Sequence, residues 1–228
     1  MRLQRERKCE KLVSQTTPTS KKLCTGMHHP IFAAVYERLA RFGPARRMID
    51  PLRQETAGQA RGVVLEVGVG TGLNVPFYLP GKVERVEAVD PDAAMLRYAR
   101  KRLSTARVPI RLTQAPVEAL PFADETFESV VATLVFCSVT DPQRGLREIK
   151  RVLKPGGTLL LVEHVRAEAA IAARVQDALV PVTTRLAGNC HWNRDTARTV
   201  TDAGFQITRL RQLGGKLQPI IVLQAIRP

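Results

Sequence analysis

An acid and three glycines form the first group in this chain whose types and spacing can do chemistry. Residues 63–72 read Val-Val-Leu-Glu-Val-Gly-Val-Gly-Thr-Gly, so an apolar run reaches Glu66 and Gly68, Gly70 and Gly72 follow at every second position. The run suits a strand buried on both faces. Glycines behind such a strand make a tight turn and let a ligand approach bare backbone. A second β-rich run, 83–89, ends in Asp90, 18 residues past Gly72. Doubly wound α/β sheets hold a nucleoside in this way, with glycines under the ligand and a carboxylate on the ribose hydroxyls.

The spacing separates nucleoside ligands. Dinucleotide binders use G-x-G-x-x-G and set a pyrophosphate on a helix N-terminus. Here the pattern is E-x-G-x-G-x-G, Glu66 through Gly72. An acid at its head tolerates a cationic ligand and repels a phosphate. The pattern resembles the first motif of class I S-adenosylmethionine (SAM) methyltransferases, whose cofactor carries an amino group and a sulfonium but no phosphate. A purely structural strand–turn–helix is the alternative.

The elements that would position these residues alternate along the chain. Strand patterns fall near 63–67, 84–89, 109–114, 128–135, 158–163, 205–211 and 219–226, and helical patterns near 92–105, 142–153, 168–185 and 195–203. This predicts a mostly parallel sheet covered on both faces. Gly214-Gly215 between the last two strands predicts an antiparallel hairpin. Upstream, Ile31, Phe32, Val35, Tyr36 and Leu39 repeat at helical spacing before Gly43-Pro44, and a second helix follows towards Thr56 with Met48, Ile49 and Leu52 on one face. The expected organisation is a disordered basic tail over 1–26, a helical cap over 27–60 and a catalytic domain over 61–228.

The order of strands resembles the seven-stranded, Rossmann-like fold of class I methyltransferases over about residues 30–228. The resemblance implies SAM as cofactor and S-adenosylhomocysteine as product. Glu66, Gly68, Gly70 and Gly72 map onto its methionine cradle, Asp90 onto the ribose carboxylate, and Pro91 and Met95 onto positions bordering adenine. Met95 also reads as a core-facing helix residue. Residues 112–122 resemble the adenine segment G-D-A-E-x-L-P-F, but Pro116 stands where an Asp commonly accepts the adenine amino hydrogen. The backbone amide of Val117 would still be available. Arg147-Glu148-Ile149 through Gly157 resembles the helix and turn before strand five. Leu146, Ile149, Val152 and Leu153 are its buried face, Lys154 suits the helix dipole and Gly156-Gly157 is a C-cap and turn.

Strand four separates acceptor classes. Enzymes acting on adenine or amide nitrogen carry an Asn/Asp-Pro-Pro-aromatic motif there, and this chain has Thr133-Leu134-Val135-Phe136-Cys137-Ser138-Val139. That stretch, Glu163-His164-Val165 and 188–194 are similar to the alkyl-thiol S-methyltransferase branch and its bacterial relatives. Bacterial phospholipid N-methyltransferases are a second resemblance. The animal thiol enzymes carry an N-terminal membrane anchor, and none is expected here. In the thiol reading Phe136, Cys137, His164 and Trp192 face the substrate, and His164 takes the proton of a thiol, whose unperturbed pKa is roughly 8.5. The alternatives are a hydrogen-bonded positional histidine, a buried apolar Cys137 and a Trp192 that only packs. Methyl transfer can also run on proximity and orientation alone.

Composition narrows the rest. The 228 residues suffice for one α/β domain, and 44% apolar content is ordinary. No apolar run is long enough to span a membrane, and the basic N-terminus has no signal-peptide core. Cys9, Cys24, Cys137 and Cys190 show neither C-x-x-C spacing nor disulfide density, and His28-His29 has no third ligand nearby, so no metal site and a cytoplasmic setting are expected. The net charge is +14, and residues 1–60 hold twelve Lys/Arg against five Asp/Glu. Such charge suits a solvated tail or peripheral contact with an anionic membrane. With only 5% aromatics and no basic–aromatic interleaving, nucleic acid is not the expected partner.

Overall fold

The structure is a computed structural model and describes residues 30–42 and 44–228. The expectations for the 1–26 tail, His28-His29 and the Gly43 stop lie outside these residues. Seven strands, β1 (Gly62–Val67), β2 (Val83–Asp90), β3 (Ile110–Gln114), β4 (Phe127–Thr133), β5 (Leu153–His164), β6 (Gln206–Gly214) and β7 (Pro219–Ile226), form one sheet. Their order is β3-β2-β1-β4-β5-β7-β6. Strands β1 to β5 pair in parallel, and β7 runs antiparallel between β5 and β6. The order reverses between β1 and β4, and open α/β sheets bind ligands at such a switch point, outside the carboxyl ends of the strands.

Among the described residues six α-helices cover the sheet: α1 (Pro30–Phe42), α2 (Pro44–Glu55), α3 (Ala93–Arg102), α4 (Pro142–Val152), α5 (Ala170–Leu186) and α6 (Thr196–Asp202). Alternate residues of a strand face opposite sides, and β1 divides accordingly. Val63, Leu65 and Val67 join Leu146, Ile149 and Val152 of α4 and Val200 of α6 in one core, whereas Val64 joins Leu96 and Ala99 of α3 in the other. Asp side chains cap three helices: Asp92 accepts from the Ala94 N–H, Asp141 from Arg144 and Asp195 from Arg198. Each cap satisfies a donor that the first helical turn leaves unpaired.

Three expectations need correction. The apolar repeat of α1 does not make one buried face: Ala33 is buried and Phe32 and Tyr36 pack inward, whereas Ile31, Val35 and Leu39 stand in solvent. In α2, Ile49 and Leu52 pack against Val162, Ile220 and Val222, but Met48 is exposed; the helix buries Arg53 instead. Finally, Lys154 and Gly156-Gly157 belong to β5. Its pairing with β4 jumps from Phe127↔Leu153 to Ser129↔Thr158, a bulge that carries Gly156 at φ +73°. Lys154 pairs with the Glu128 carboxylate across this bulge, so its partner is a side chain and not a helix terminus.

Candidate active site

The three glycines behind β1 have different reasons to lack a side chain. All adopt positive φ, at +64°, +54° and +83°. A Cβ on Gly68 would stand 2.5 Å from a Val135 methyl carbon, and one on Gly72 3.1 Å from Ala99 Cα. Both therefore allow close packing within the fold. A Cβ on Gly70 meets nothing nearer than the Gly68 carbonyl oxygen at 3.9 Å. Gly70 alone faces open space, as a backbone cradle for a ligand requires.

Asp90 closes this cradle from the end of β2. Its Oδ2 accepts from the Gly70 N–H and its Oδ1 from the Asp92 N–H, each at 2.8 Å. Burial raises its pKa to about 6 against the pull of those two bonds. A carboxylate has about four acceptor positions, so capacity for two hydroxyls remains. Glu66 has a different place. It is fully enclosed, accepts from Asn74 Nδ2 and from the Tyr78 hydroxyl at 2.9 Å each, and is pushed up to about 7 by burial. Asn74 also donates to Thr133 on β4 and accepts from Arg53 of α2 at 2.6 Å. Glu66 thus holds the loop in shape from beneath. Sequence reading missed Arg53, Asn74 and Tyr78. The signal was available, because a buried acid must find donors nearby.

On the other side of β4, Glu163 organises the turn that follows Thr133. Its Oε1 accepts from the N–H groups of Val135 and Phe136 at 2.7 and 2.8 Å, and its Oε2 from Cys137 at 3.2 Å. Burial raises this carboxyl to about 7 as well. Leu134 enters the turn at φ +59°, a conformation unusual for a branched side chain. Residues 188–194 then lie over the turn. Asn189 donates to the Ser138 carbonyl, the His191 N–H to Cys137 and the Arg194 guanidinium to Phe136 and Val139. This layering brings Cys137, His164 and Cys190 together, with their ligand-type atoms within 4.8 Å of one another. The Cys137 thiol is pushed up by its hydrogen bond with Cys190 and by burial, and the same bond pushes Cys190 down. His164 Nε2 lies 3.3 Å from Gln218 Nε2, and its Nδ1 is buried without a nitrogen or oxygen partner among the described residues. No metal site was expected, and the convergence of these three separate segments is not visible in any local spacing.

Helix α1 bridges both halves. Phe32 and Tyr36 pack with Met95, which fills an apolar cluster as its core-facing reading expects. The space a Cβ of Gly188 would need is taken by the Phe32 ring, 2.6 Å away. Glu37 receives both terminal nitrogens of Arg102 at 2.8 Å, and Arg102 also reaches the Thr71 carbonyl of the glycine loop. The remaining predicted residues are more dispersed. Pro91 accepts from Gln114 through its carbonyl. The Val117 side chain lies in the main core against Gly145, and Phe136 is fully buried there. Trp192 is half-buried, with its carbonyl held by Gln176.

Comparison with known proteins agrees with this architecture. A family model described as a methyltransferase domain matches residues 65–161. Human thiol S-methyltransferase TMT1A is 32% identical over 82% of this chain and 77% of its own length. The rat thiol S-methyltransferase TMT1B is 36% identical over 64% of this chain, which spans 61% of that protein. Phosphatidylethanolamine N-methyltransferase of Cereibacter sphaeroides is 35% identical over 68% of this chain and 77% of its own. Among solved structures, a SAM-dependent methyltransferase of Thermotoga maritima shares the fold, with a TM-score of 0.63 and 24% identity over 87% of this chain and 97% of its own.

The raised carboxyls make stability depend on pH. Between the ordinary value of 4.5 and about 7, folded Glu66 holds a proton that the unfolded chain has released. Its contribution is full below that window and is lost as pH rises through it. Glu163 adds to this in the same window. The denaturant midpoint should therefore fall from about pH 5 to about pH 8, and Glu66→Gln should flatten part of the fall. Glutamine can keep both bonds, accepting from Asn74 and donating to the Tyr78 oxygen. An unchanged slope in Glu66→Gln would show that Glu66 stays ionised throughout.

Proposed function

The chain belongs to the class I methyltransferase family, and on that footing we propose that it transfers the methyl group of SAM to the sulfur of a small thiol. The observation that carries this reading is the group of side chains at the ends of β4 and β5: two sulfurs and an imidazole nitrogen without a nitrogen or oxygen partner. Both Glu163 oxygens are engaged by backbone, and the turn after β4 offers no side chain suited to grip a planar amine. The TMT1 relatives, named for thiol S-methylation, support the same acceptor.

SAM, when bound, supplies an electrophilic methyl group on a sulfonium. Gly70 would pass beneath it and Asp90 would accept its ribose hydroxyls, with Pro91, Met95 and the Val117 amide on the adenine side. The residues fit a cation, because a positive ligand favours the ionised form of Asp90, which burial disfavours. On the acceptor side, His164 helps the thiol ionise. Only a few per cent of an ordinary thiol is thiolate at neutral pH, so assistance there raises the reactive fraction directly.

A second reading is a phospholipid headgroup acceptor at an anionic membrane surface. It is favoured by two exposed apolar stripes, Ile31, Val35 and Leu39 on α1 and Ile171, Val175, Leu179, Val182 and Leu186 on α5. Exposed Arg38, Arg174 and Arg185 share these helices. Among the described residues no helix is long and apolar enough to cross a membrane. Surface contact would use the stripes instead.

S-adenosylhomocysteine release across a panel of thiols, phospholipids and RNA tests the function, with thiols expected to turn over; turnover confined to lipid would replace the first reading with the second. Asp90→Ala and Gly70→Val should both abolish measurable SAM binding in calorimetry. The first removes two charge-assisted bonds of roughly 1.5–3 kcal/mol each, and the second puts a side chain into the open cradle. A loss under about tenfold for Asp90→Ala would place the ribose elsewhere. His164→Ala should slow an alkyl thiol roughly a hundredfold near neutral pH and recover as pH rises. An acidic aryl thiol, already ionised, should suffer less, and equal loss for both would assign His164 to positioning. In the lipid reading, anionic vesicles should co-sediment the protein at low salt and release it at high salt, since each basic residue contributes about 1 kcal/mol that screening removes. No sedimentation at low salt would exclude that contact.

A further inference from the structure

We propose that Cys137, His164 and Cys190 form a three-residue site for a zinc ion whose fourth position is open to the substrate thiol. The proposal rests on the thiol reading for its chemistry and on geometry for the site itself.

The three ligand-type atoms already lie within 4.8 Å of one another. Zinc bonds of about 2.3 Å to sulfur and 2.0–2.1 Å to nitrogen set tetrahedral ligand pairs roughly 3.5–3.8 Å apart. Closing that gap takes about an ångström, within reach of side-chain rotation. Each ligand is carried by fixed backbone. The Cys137 N–H is held by Glu163, and its carbonyl accepts from His191 at 2.6 Å. His164 is the last residue of β5 and pairs with Ile220 of β7. The Cys190 carbonyl accepts from the Thr183 hydroxyl at 2.9 Å.

A second observation points the same way. His164 Nδ1 is buried with no nitrogen or oxygen partner among the described residues, and what its imidazole faces is the Cys137 sulfur, whose thiolate form the interaction favours, so the nitrogen and the sulfur already converge as two ligands of one ion would. Its other nitrogen faces the Gln218 side-chain amide. With that amide turned to present oxygen, Nε2–H donates to Gln218 and the Nδ1 lone pair is free for a metal. A ligating histidine is normally oriented by such an outer partner. Two thiolates and an imidazole select zinc over magnesium or calcium. Three protein ligands with an open fourth position are the pattern of catalytic zinc, not of structural zinc. Arg194 lies close by on the Phe136 and Val139 carbonyls, where its charge offsets part of the added negative charge.

The step is a ligand substitution with no redox change. The thiol sulfur bonds to zinc, its S–H bond breaks and the proton leaves to solvent. The bound thiolate would then attack the methyl carbon of SAM: the new S–CH3 bond forms as the sulfonium S–CH3 bond breaks, its electron pair returns to that sulfur, S-adenosylhomocysteine leaves, and the thioether, a weaker ligand, departs from the metal. His164 thereby promotes ionisation through the metal and not by taking the proton itself.

The test uses the full chain carrying Cys9→Ser and Cys24→Ser, so that tail cysteines cannot contribute. The protein is reduced with a phosphine, stripped with a chelator and titrated with cobalt(II), then zinc(II). One cobalt per chain should bind with the thiolate charge-transfer and tetrahedral ligand-field absorption bands, and zinc should displace it. Cys137→Ser, Cys190→Ser and His164→Gln should each weaken binding roughly a hundredfold or more. Circular dichroism identifies any variant that fails to fold, and Cys190→Ala at the more exposed ligand is the fallback. An alkyl thiol added without SAM should shift the ligand-field bands, whereas the matching thioether should not. Absence of the cobalt spectrum in the folded chain, or undiminished binding in all three variants, overturns the site. Full thiol methylation by stripped protein in chelator overturns zinc activation and leaves the thiol function standing. Cobalt binding with a thiol-induced shift but no methylated product for any thiol has the opposite meaning: the site stands and the thiol function fails.

Discussion

The Glu163 carboxylate accepts three consecutive backbone N–H groups, from Val135, Phe136 and Cys137, with no exposure to water. An isolated buried carboxylate is costly, and hydrogen bonds to its charged form are what make such burial tolerable. The exchange runs both ways. The turn after β4 enters through Leu134 at φ +59°, a strain of order 1 kcal/mol or more that persists only where the surroundings over-determine it. Once the turn is pinned, its outward carbonyls are fixed, and those of Phe136, Cys137, Ser138 and Val139 receive Arg194, His191 and Asn189. The region beyond the end of β4 is therefore a stack of two irregular segments on one acid.

Glu66 plays the corresponding part at the glycine loop. It and Glu163 lie on β1 and β5, the two strands that flank β4, and burial raises both to about 7. Both carboxylates accept from protein donors and so fix loops. Asp90 differs, because its carboxylate closes the open cradle at Gly70. This division places stored polar cost beneath the site and ligand-binding capacity above it. The pairing also suits a chain of net charge +14. Screening confines the surface arginines to short range, so at the cradle the nearby acids dominate the local field and would favour a positive ligand.

The sheet was legible because each strand carries its own pattern: continuous apolar runs for β1 and β4, and a glycine pair for the β6–β7 turn. All seven strands overlap their expected positions. The glycine loop was legible as a motif but not as three separate roles, since only packing distinguishes Gly70 from Gly68 and Gly72. The faces of α1 and α2 were misjudged because periodicity reports that a helix is amphipathic and not which neighbour it meets. Arg53 was hidden for a related reason: a buried arginine is exceptional, and its acceptor, Asn74, lies 21 residues away. Cys137, His164 and Cys190 lie on three segments that only the fold brings together, so no spacing rule could find them.

The misjudged face of α1 bears on how an acceptor reaches the site. Phe32 and Tyr36 wall the cofactor side through Met95, and Phe32 also fills the space above Gly188, where the loop from α5 begins. The outward stripes thus belong to α1, which meets Gly188, and to α5, which leads into the loop that carries Cys190. Scattered exposed apolar residues need no explanation, but a stripe that runs along one helix face presents continuous apolar area. Such a stripe attracts apolar molecules by the area they remove from water, at about 25 cal/mol per Å². An alkyl or aryl thiol, or the chains of a lipid, would be concentrated there, whereas a strongly polar metabolite would gain nothing. The sulfur-lined cluster and the apolar stripes therefore lie on connected elements, an arrangement that would suit a molecule apolar in its body and ionisable at one atom.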